Sequence, residues 1–252
     1  MTDPITTDLL IPLLAAPVAG GLLAGFARRQ RAEADAVTSW AACPRCAKRL
    51  PAFALLPVIG WPLARGRCGH CAAPLGATTP VIEFGALVVA AWAAAVLDGW
   101  LVWASCVLGW ALLALAAIDW RDLVLPDEAT LPLIPAGIAV AYFVAPGLPV
   151  AHLIGAVAGF AVFVAVRWVY QRLRGREGLG LGDAKLLAAA GAWVGWVGLP
   201  SVVLIAAAAA LAVALARGLA GRRVDPDQTV AFGAYLALAT WIVWLYGPLA
   251  FA

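Results

Sequence analysis

The stretch Leu186 to Ala216, LLAAAGAWVGWVGLPSVVLIAAAAALAVALA, runs for 31 residues without a charged side chain. One crossing of a bilayer's hydrocarbon core takes about 20 apolar residues, so this stretch is too long for one span and long enough for two. The natural turn is Gly198-Leu199-Pro200-Ser201. Read as a mere kink, the same residues would make one span fewer. The rest of the chain follows suit: of 252 residues 64% are hydrophobic and only 12% charged, mean hydropathy is +0.94, and there are 12 Trp. That composition excludes an ordinary water-soluble domain.

Further apolar runs cover Leu9 to Phe26, Val81 to Leu97, Leu101 to Ile118, Ala129 to Ala145, Val150 to Trp168 and Val230 to Leu249. With the long stretch divided into Leu186 to Pro200 and Ser201 to Ala216, the reading is an all-α, polytopic membrane protein of about eight transmembrane helices. With the N-terminus outside, all 17 Lys and Arg fall on the inner side: in the loop 27–80, at Arg121, around 167–185 and in 217–229. The outer ends hold Asp3, Asp8 and Asp98. The positive-inside rule therefore makes the basic loops cytoplasmic. Met1-Thr2-Asp3 lacks the basic start of a cleavable signal, so the first span is expected to remain. No internal repeat or long linker is evident.

Cys43-Pro44-Arg45-Cys46 and Cys68-Gly69-His70-Cys71 are two CxxC knuckles in the first basic loop. Four thiolates complete a tetrahedral zinc site, closed and therefore structural. The alternatives are four free thiols or a redox pair; a reducing cytosol argues against disulfides. His70 lies between better ligands. Cys106, in mid-span, reads as a small buried apolar residue.

Asp119 ends the third span and Asp183 begins the sixth, so both lie at one depth on one face. Two carboxylates that meet share a proton and titrate as a unit. Such a dyad can hydrolyse a peptide: the ionised member activates water while the protonated one donates to the carbonyl oxygen and then to the leaving amine. Gly178, Gly180 and Gly182 permit close backbone approach, and Gly180 and Gly182 form a strip to which an extended peptide can bond. Taken singly, each aspartate also reads as a solvated boundary residue or helix cap. Asp122, Asp127 and Glu128 are rivals for Asp119; Asp127, after Pro126, reads as a helix N-cap. Glu83 is costly inside a span and either functional or paired with an Arg of the basic loop. Lys185 reads as snorkelling to the interface, and His152 as an interfacial residue on the opposite face. The glycine-rich stretch is no nucleotide cradle, lacking the lysine-serine ending and a preceding strand, and no nucleic-acid partner is expected.

These residues resemble the prepilin peptidase family, the type IV leader peptidases, which are membrane aspartyl proteases of the GxGD type. The matching pieces are the two knuckles, Pro80-x-x-Glu83, Ala117-Ile118-Asp119, Leu125-Pro126-Asp127 with Thr130, Glu177-Gly178-x-Gly180-x-Gly182-Asp183-x-Lys185-Leu186, and Phe232-Gly233-x-Tyr235-Leu236-Ala237. The resemblance implies an enzyme of the bacterial inner membrane that cuts the basic leader from prepilins or pseudopilins of pili or secretion systems at the cytoplasmic face. It implies Asp119 and Asp183 as the catalytic pair and zinc on Cys43, Cys46, Cys68 and Cys71; Asp127 is a motif member without an assigned chemical role, and with Glu83 and Lys185 it is a candidate supporting residue. Residues 1–80 would be the first transmembrane helix plus the basic zinc-binding loop, and 81–252 the membrane-embedded aspartyl peptidase domain.

Many members also methylate the new N-terminus with S-adenosylmethionine. Here Gly25-Phe26-Ala27-Arg28, Leu55-Leu56-Pro57 and Thr78-Thr79 depart from the motifs of bifunctional members, so methyl transfer is expected to be weak or absent. Helix polarity suggests Asp183, at a helix N-terminus, as base and Asp119, at a C-terminus, as acid. The alternatives from other classes are a transporter using Asp119 and Asp183 as proton or cation site and a non-catalytic scaffold with a partner-binding zinc loop.

Overall fold

Without water, backbone N–H and C=O groups can be satisfied within a helix, and helices account for nearly all the regular structure described. The computed structural model describes residues 4–30, 42–43, 45–46, 48–144, 149–175, 178–220 and 230–249. Glu177, Ala145 and the basic residues at 31 and 222–223 lie outside them. Two isolated β-bridges are the only extended pairing among the described residues.

The order is α1 (Pro4–Arg29), a 3-10 turn (Ala52–Leu55), α2 (Gly60–Leu63), α3 (Thr78–Val96), α4 (Trp100–Asp122), α5 (Asp127–Thr130), α6 (Leu133–Val144), α7 (Pro149–Arg174), α8 (Leu181–Leu219) and α9 (Phe232–Tyr246). Six helical stretches are long and apolar enough to cross a membrane, and α9 is a shorter apolar helix. The protein is thus the polytopic all-α membrane protein the composition predicts.

Two compact units divide at Ala114 and Leu115. In the first, α1 packs on α3 through small residues. Ala16 and Ala24 are buried on α1, Ala86, Ala90 and Ala93 on α3. A Cβ on Gly20 would lie 2.6 Å from Glu83 Cα. Such close backbone approach is the usual basis of helix association in lipid.

In the second unit, α7 and α8 meet through two GxxxG pairs, Gly155 with Gly159 and Gly191 with Gly195. A side chain on Gly191 would collide with the Gly155 carbonyl, and one on Gly159 with that of Leu187. These contacts make α7 antiparallel to the first part of α8. A straight α8 would extend nearly 60 Å, about twice the hydrocarbon thickness. Instead Gly195 leaves helical geometry (φ 71°, ψ 173°), and the chain doubles back. Asp183 lies within electrostatic reach of Asp119, while the Arg217 guanidinium stands 5.9 Å from the ring centre of the adjacent Trp120. The long apolar stretch is therefore two arms, as its length predicts. The break, however, comes at Gly195 rather than at Gly198–Ser201, in a φ that only a glycine readily takes. His152, on α7, donates from Nδ1 to the Ala192 carbonyl at 3.0 Å, beside the break.

Candidate active site and metal centre

α4 places Asp119 one turn before its end, where Leu123 (φ 55°) closes the helix. Its carboxylate is 5% exposed and lies on the N-terminus of α9: Oδ2 accepts from the Ala234 N–H at 2.9 Å, and the Gly233 backbone also donates to it. Helix N-termini carry unpaired N–H groups and attract carboxylates. The expected contrast in helix polarity therefore disappears: Asp119 faces a helix N-terminus as Asp183 does.

Asp183 is the third residue of α8, and its carboxylate takes a hydrogen bond from the Gly180 backbone, the helix's N-cap residue. A side chain three residues in that reaches back to the cap is half of a capping box. The two carboxylates, 64 positions apart in sequence, are near enough to repel each other.

The glycines around them do different work. Gly180 is exposed and extended (φ −70°, ψ 144°). Gly182 is already helical, so the two do not form one extended strip. A Cβ on Gly182 would stand 2.9 Å from Leu125 Cβ, and one on Gly233 2.8 Å from Leu125 Cδ1 and 3.0 Å from Asp119 Oδ2. Leu125 is thus a wedge between the starts of α8 and α9, fitting only because both lack a side chain. Sequence reasoning quoted Leu125 and Gly233 as motif members but missed this role. Behind the loop, Arg167 donates to the Leu179 carbonyl at 3.2 Å, and Tyr170 packs where a Gly178 side chain would be.

Asp127 is not the N-cap; that position belongs to Pro126. Its carboxylate is instead drawn to Lys185, whose Nζ lies 2.7 Å from both oxygens. Lys185 accordingly bridges α5 to α8 rather than snorkelling freely. The buried Thr130 hydroxyl closes the α5 turn by donating to the Pro126 carbonyl at 2.9 Å. Glu83, 5% exposed, accepts from the backbone N–H of Val58 at 2.8 Å.

In the first unit the two knuckles prove to be a local repeat that the sequence reading overlooked. The Cys43 N–H bonds to the Lys48 carbonyl and the Cys68 N–H to that of Ala73, both at 2.9 Å. Bridges Ala42 to Arg49 and Arg67 to Pro74 close the two turns. Arg45 N–H donates to Cys43 Sγ, and His70 N–H to Cys68 Sγ, each at 3.4 Å. All four sulfurs lie within 4.8 Å of one another, with Cys43 to Cys71 at 3.7 Å and Cys46 to Cys68 at 3.9 Å. A tetrahedron of thiolates about 2.3 Å from zinc has edges of about 3.8 Å, so the four cysteines fit the ion. The N–H groups of His70 and Cys71 hold the Cys68 thiol down at about 6, while Cys71, despite the Ala73 N–H, is pushed up to about 11 by burial and the neighbouring cysteines, so one thiol of the cluster ionises ahead of another. Cys106 is buried and apart from this cluster.

Fold and site together define a polytopic membrane protein with a cluster of four cysteines able to hold a metal ion and a pair of carboxylates at the ends of its helices. Residues 106–215 match the type IV leader peptidase family, and residues 14–97 match the bacterial peptidase A24 N-terminal domain. A prepilin leader peptidase/N-methyltransferase of Burkholderia pseudomallei (strain 1026b) is 44% identical over 197 residues, 78% of this chain and 63% of the relative. That of Aeromonas hydrophila is 39% identical over 209 residues (81% and 71%), and that of Pseudomonas aeruginosa 34% over 217 (82% and 71%). No solved structure matches. The chain belongs to the type IV leader peptidase family, and it spans less than two thirds of the Burkholderia relative's length.

Proposed function

We propose that this protein is a membrane aspartic endopeptidase that removes the leader peptide of type IV prepilins or pseudopilins, with Asp119 and Asp183 as the catalytic pair. The observation that carries the reading is the convergence of the two residues: Leu125 abuts both Gly182, next to Asp183, and Gly233, beside the Asp119 carboxylate, and the two carboxylates interact electrostatically. Asp119, tied to the start of α9, is held in orientation, whereas Asp183 is more open. One carboxylate takes a proton from water as it attacks the scissile carbonyl while the other protonates the carbonyl oxygen; as the tetrahedral intermediate collapses, the first passes its proton to the leaving amine and the second takes back that of the hydroxyl. Exposed, extended Gly180 offers backbone to a substrate strand. Asp127 and Lys185 support the site by tying α5 to α8.

Both carboxylates lie at helix ends, and transporter sites collect near the bilayer midplane; with the family membership, this leaves the transporter alternative without support. The charge distribution supports a cytoplasmic site in the bacterial inner membrane. We assign residues 1–80 to the first helix and zinc loop and 81–252 to catalysis. Zinc would tie the two knuckles together, its four positions filled by protein and open to no substrate.

N-methylation appears in the relatives' names, and S-adenosylmethionine would be its donor. The cleft of the zinc-loop segment is rimmed by Arg65 and Arg67, a poor match for a sulfonium cation. With the motifs of bifunctional members altered at Gly25–Arg28, Leu55–Pro57 and Thr78–Thr79, methyl transfer is expected to be weak or absent. Labelled S-adenosylmethionine supplied with cleaved substrate tests it, and robust labelling of the new N-terminus would reverse it.

The test of the main reading is co-expression with a candidate prepilin, following substrate mass. Asp119→Asn and Asp183→Asn should abolish cleavage while Asp122→Asn preserves it. Cleavage by either of the first two would overturn the assignment.

A further inference from the structure

Between the cysteine knuckles runs a segment that neither the metal centre nor the carboxylates explain. Phe53, Ile59 and Leu63 are 50%, 53% and 60% exposed, and Leu56 and Val58 are exposed beside them. Contiguous exposed apolar surface of this kind marks a contact surface. One bond fixes its height: the Val58 N–H donates to Glu83 Oε2 at 2.8 Å. Val58 adopts φ 68°, a conformation that β-branched residues rarely take. Glu83 is the sixth residue of the apolar helix α3, about 7.5 Å along its axis. Around it Val81, Phe84 and Val88 are exposed, as lipid-facing positions of a spanning helix are. The apolar segment thus lies level with the lipid-facing surface of α3.

A cleft of about 210 Å³ opens on the same segment, lined by Leu50, Phe53 and Leu63 together with Arg65 and Arg67. Both arginines are exposed. Guanidinium groups take phosphate oxygens in a bidentate fork, while the apolar lining suits the start of an acyl chain. Interfacial segments that bury apolar side chains at the headgroup boundary and carry basic residues behave in this way.

We propose that residues 53–67 form an interfacial membrane anchor whose cleft binds an anionic phospholipid, its phosphate on Arg65 and Arg67 and its first methylenes against Phe53 and Leu63. A free phosphate would satisfy the arginines but leave the apolar lining in water. A protein partner would have to displace bilayer at the depth that Glu83 sets. The proposal rests on the membrane topology and not on the peptidase reading.

The test uses the full-length protein carrying a photo-crosslinking residue at Phe53, at Ile59 or, as control, at His70 on the exposed tip of the second knuckle. Each is reconstituted into vesicles of phosphatidylcholine with or without phosphatidylglycerol. Lipid adducts are expected at 53 and 59 and not at 70. In phosphatidylglycerol vesicles, Arg65→Gln and Arg67→Gln should each lower adduct yield about fivefold, the worth of one basic residue near an anionic surface. Zinc content, measured on every variant, separates loss of lipid contact from loss of the loop's fold. Adducts to a second protein chain in place of lipid, equal yields in both vesicle types, or suppression of adduct formation by inorganic phosphate added before irradiation would overturn the proposal.

Discussion

Asp119 and Gly233 are locked together by an absence: the room for the Asp119 carboxylate on α9 exists because residue 233 has no side chain. A Cβ there would stand 3.0 Å from Oδ2, in the place of the bond to the α9 backbone. Gly233→Ala should therefore move the carboxylate or the helix. We expect a fall of tenfold or more in kcat with near-normal helix content, since a small displacement of a catalytic group has effects of that order. Cleavage assays beside circular dichroism check it.

Leu125 makes a second prediction, testable by a double-mutant cycle. Gly182→Ala places a methyl 2.9 Å from Leu125 Cβ and should destabilise by about 1–3 kcal/mol, as overpacking does. Leu125→Ala removes the obstacle, so the double variant should lose less than the sum, with a coupling within about 0.5–3 kcal/mol. Strict additivity in thermal or denaturant unfolding would contradict the wedge.

The ion pair of Lys185 and Asp127 joins side chains that are 24% and 51% exposed. Water screens such a pair, so Lys185→Met and Asp127→Asn should each cost no more than about 1 kcal/mol. Losing the bridge between α5 and α8 should nonetheless lower cleavage, and to the same extent in both variants and in their combination. Kinetics of the three proteins check this.

Metal analysis should return one zinc per chain. Cys43→Ser or Cys68→Ser should lose it, while Cys106→Ser keeps it. Chelation should open residues 42–76 to protease, because closed zinc sites hold small loops folded. Limited proteolysis with mass mapping reads the result.

On α7 and α8, Gly191→Val should be far more disruptive than Gly195→Ala. The first drives a branched side chain into the Gly155 carbonyl, whereas at Gly195 the nearest atom is 3.8 Å from the added Cβ and the cost is backbone strain of about 1–3 kcal/mol. Yields of folded protein from membranes compare the two.

Span number, the clustering of the four cysteines and the approach of Asp119 to Asp183 have local marks in the sequence: an apolar run too long for one crossing, paired CxxC spacing, a charge at a span end. Other features depend on partners distant in the chain. Nothing near Asp119 announces that its hydrogen-bond donors are residues 233 and 234. Asp127 carries the local pattern of a cap, yet Lys185, 58 positions away, claims its carboxylate. The GxxxG pairs were readable but hidden in a composition with 25 Gly. The kink went to Gly195 because backbone conformation, not the nearby proline, decided it.

The donors at residues 233 and 234 also set an order of assembly. A ribosome delivers Asp119 and Asp183 to the membrane well before the helix that receives Asp119's carboxylate. Until α9 inserts, the nascent chain carries both acids but not the geometry that orients one of them. The pair proposed for catalysis would then be oriented only once α9 is in place, and a nascent chain halted short of it would hold both acids in the bilayer without that orientation.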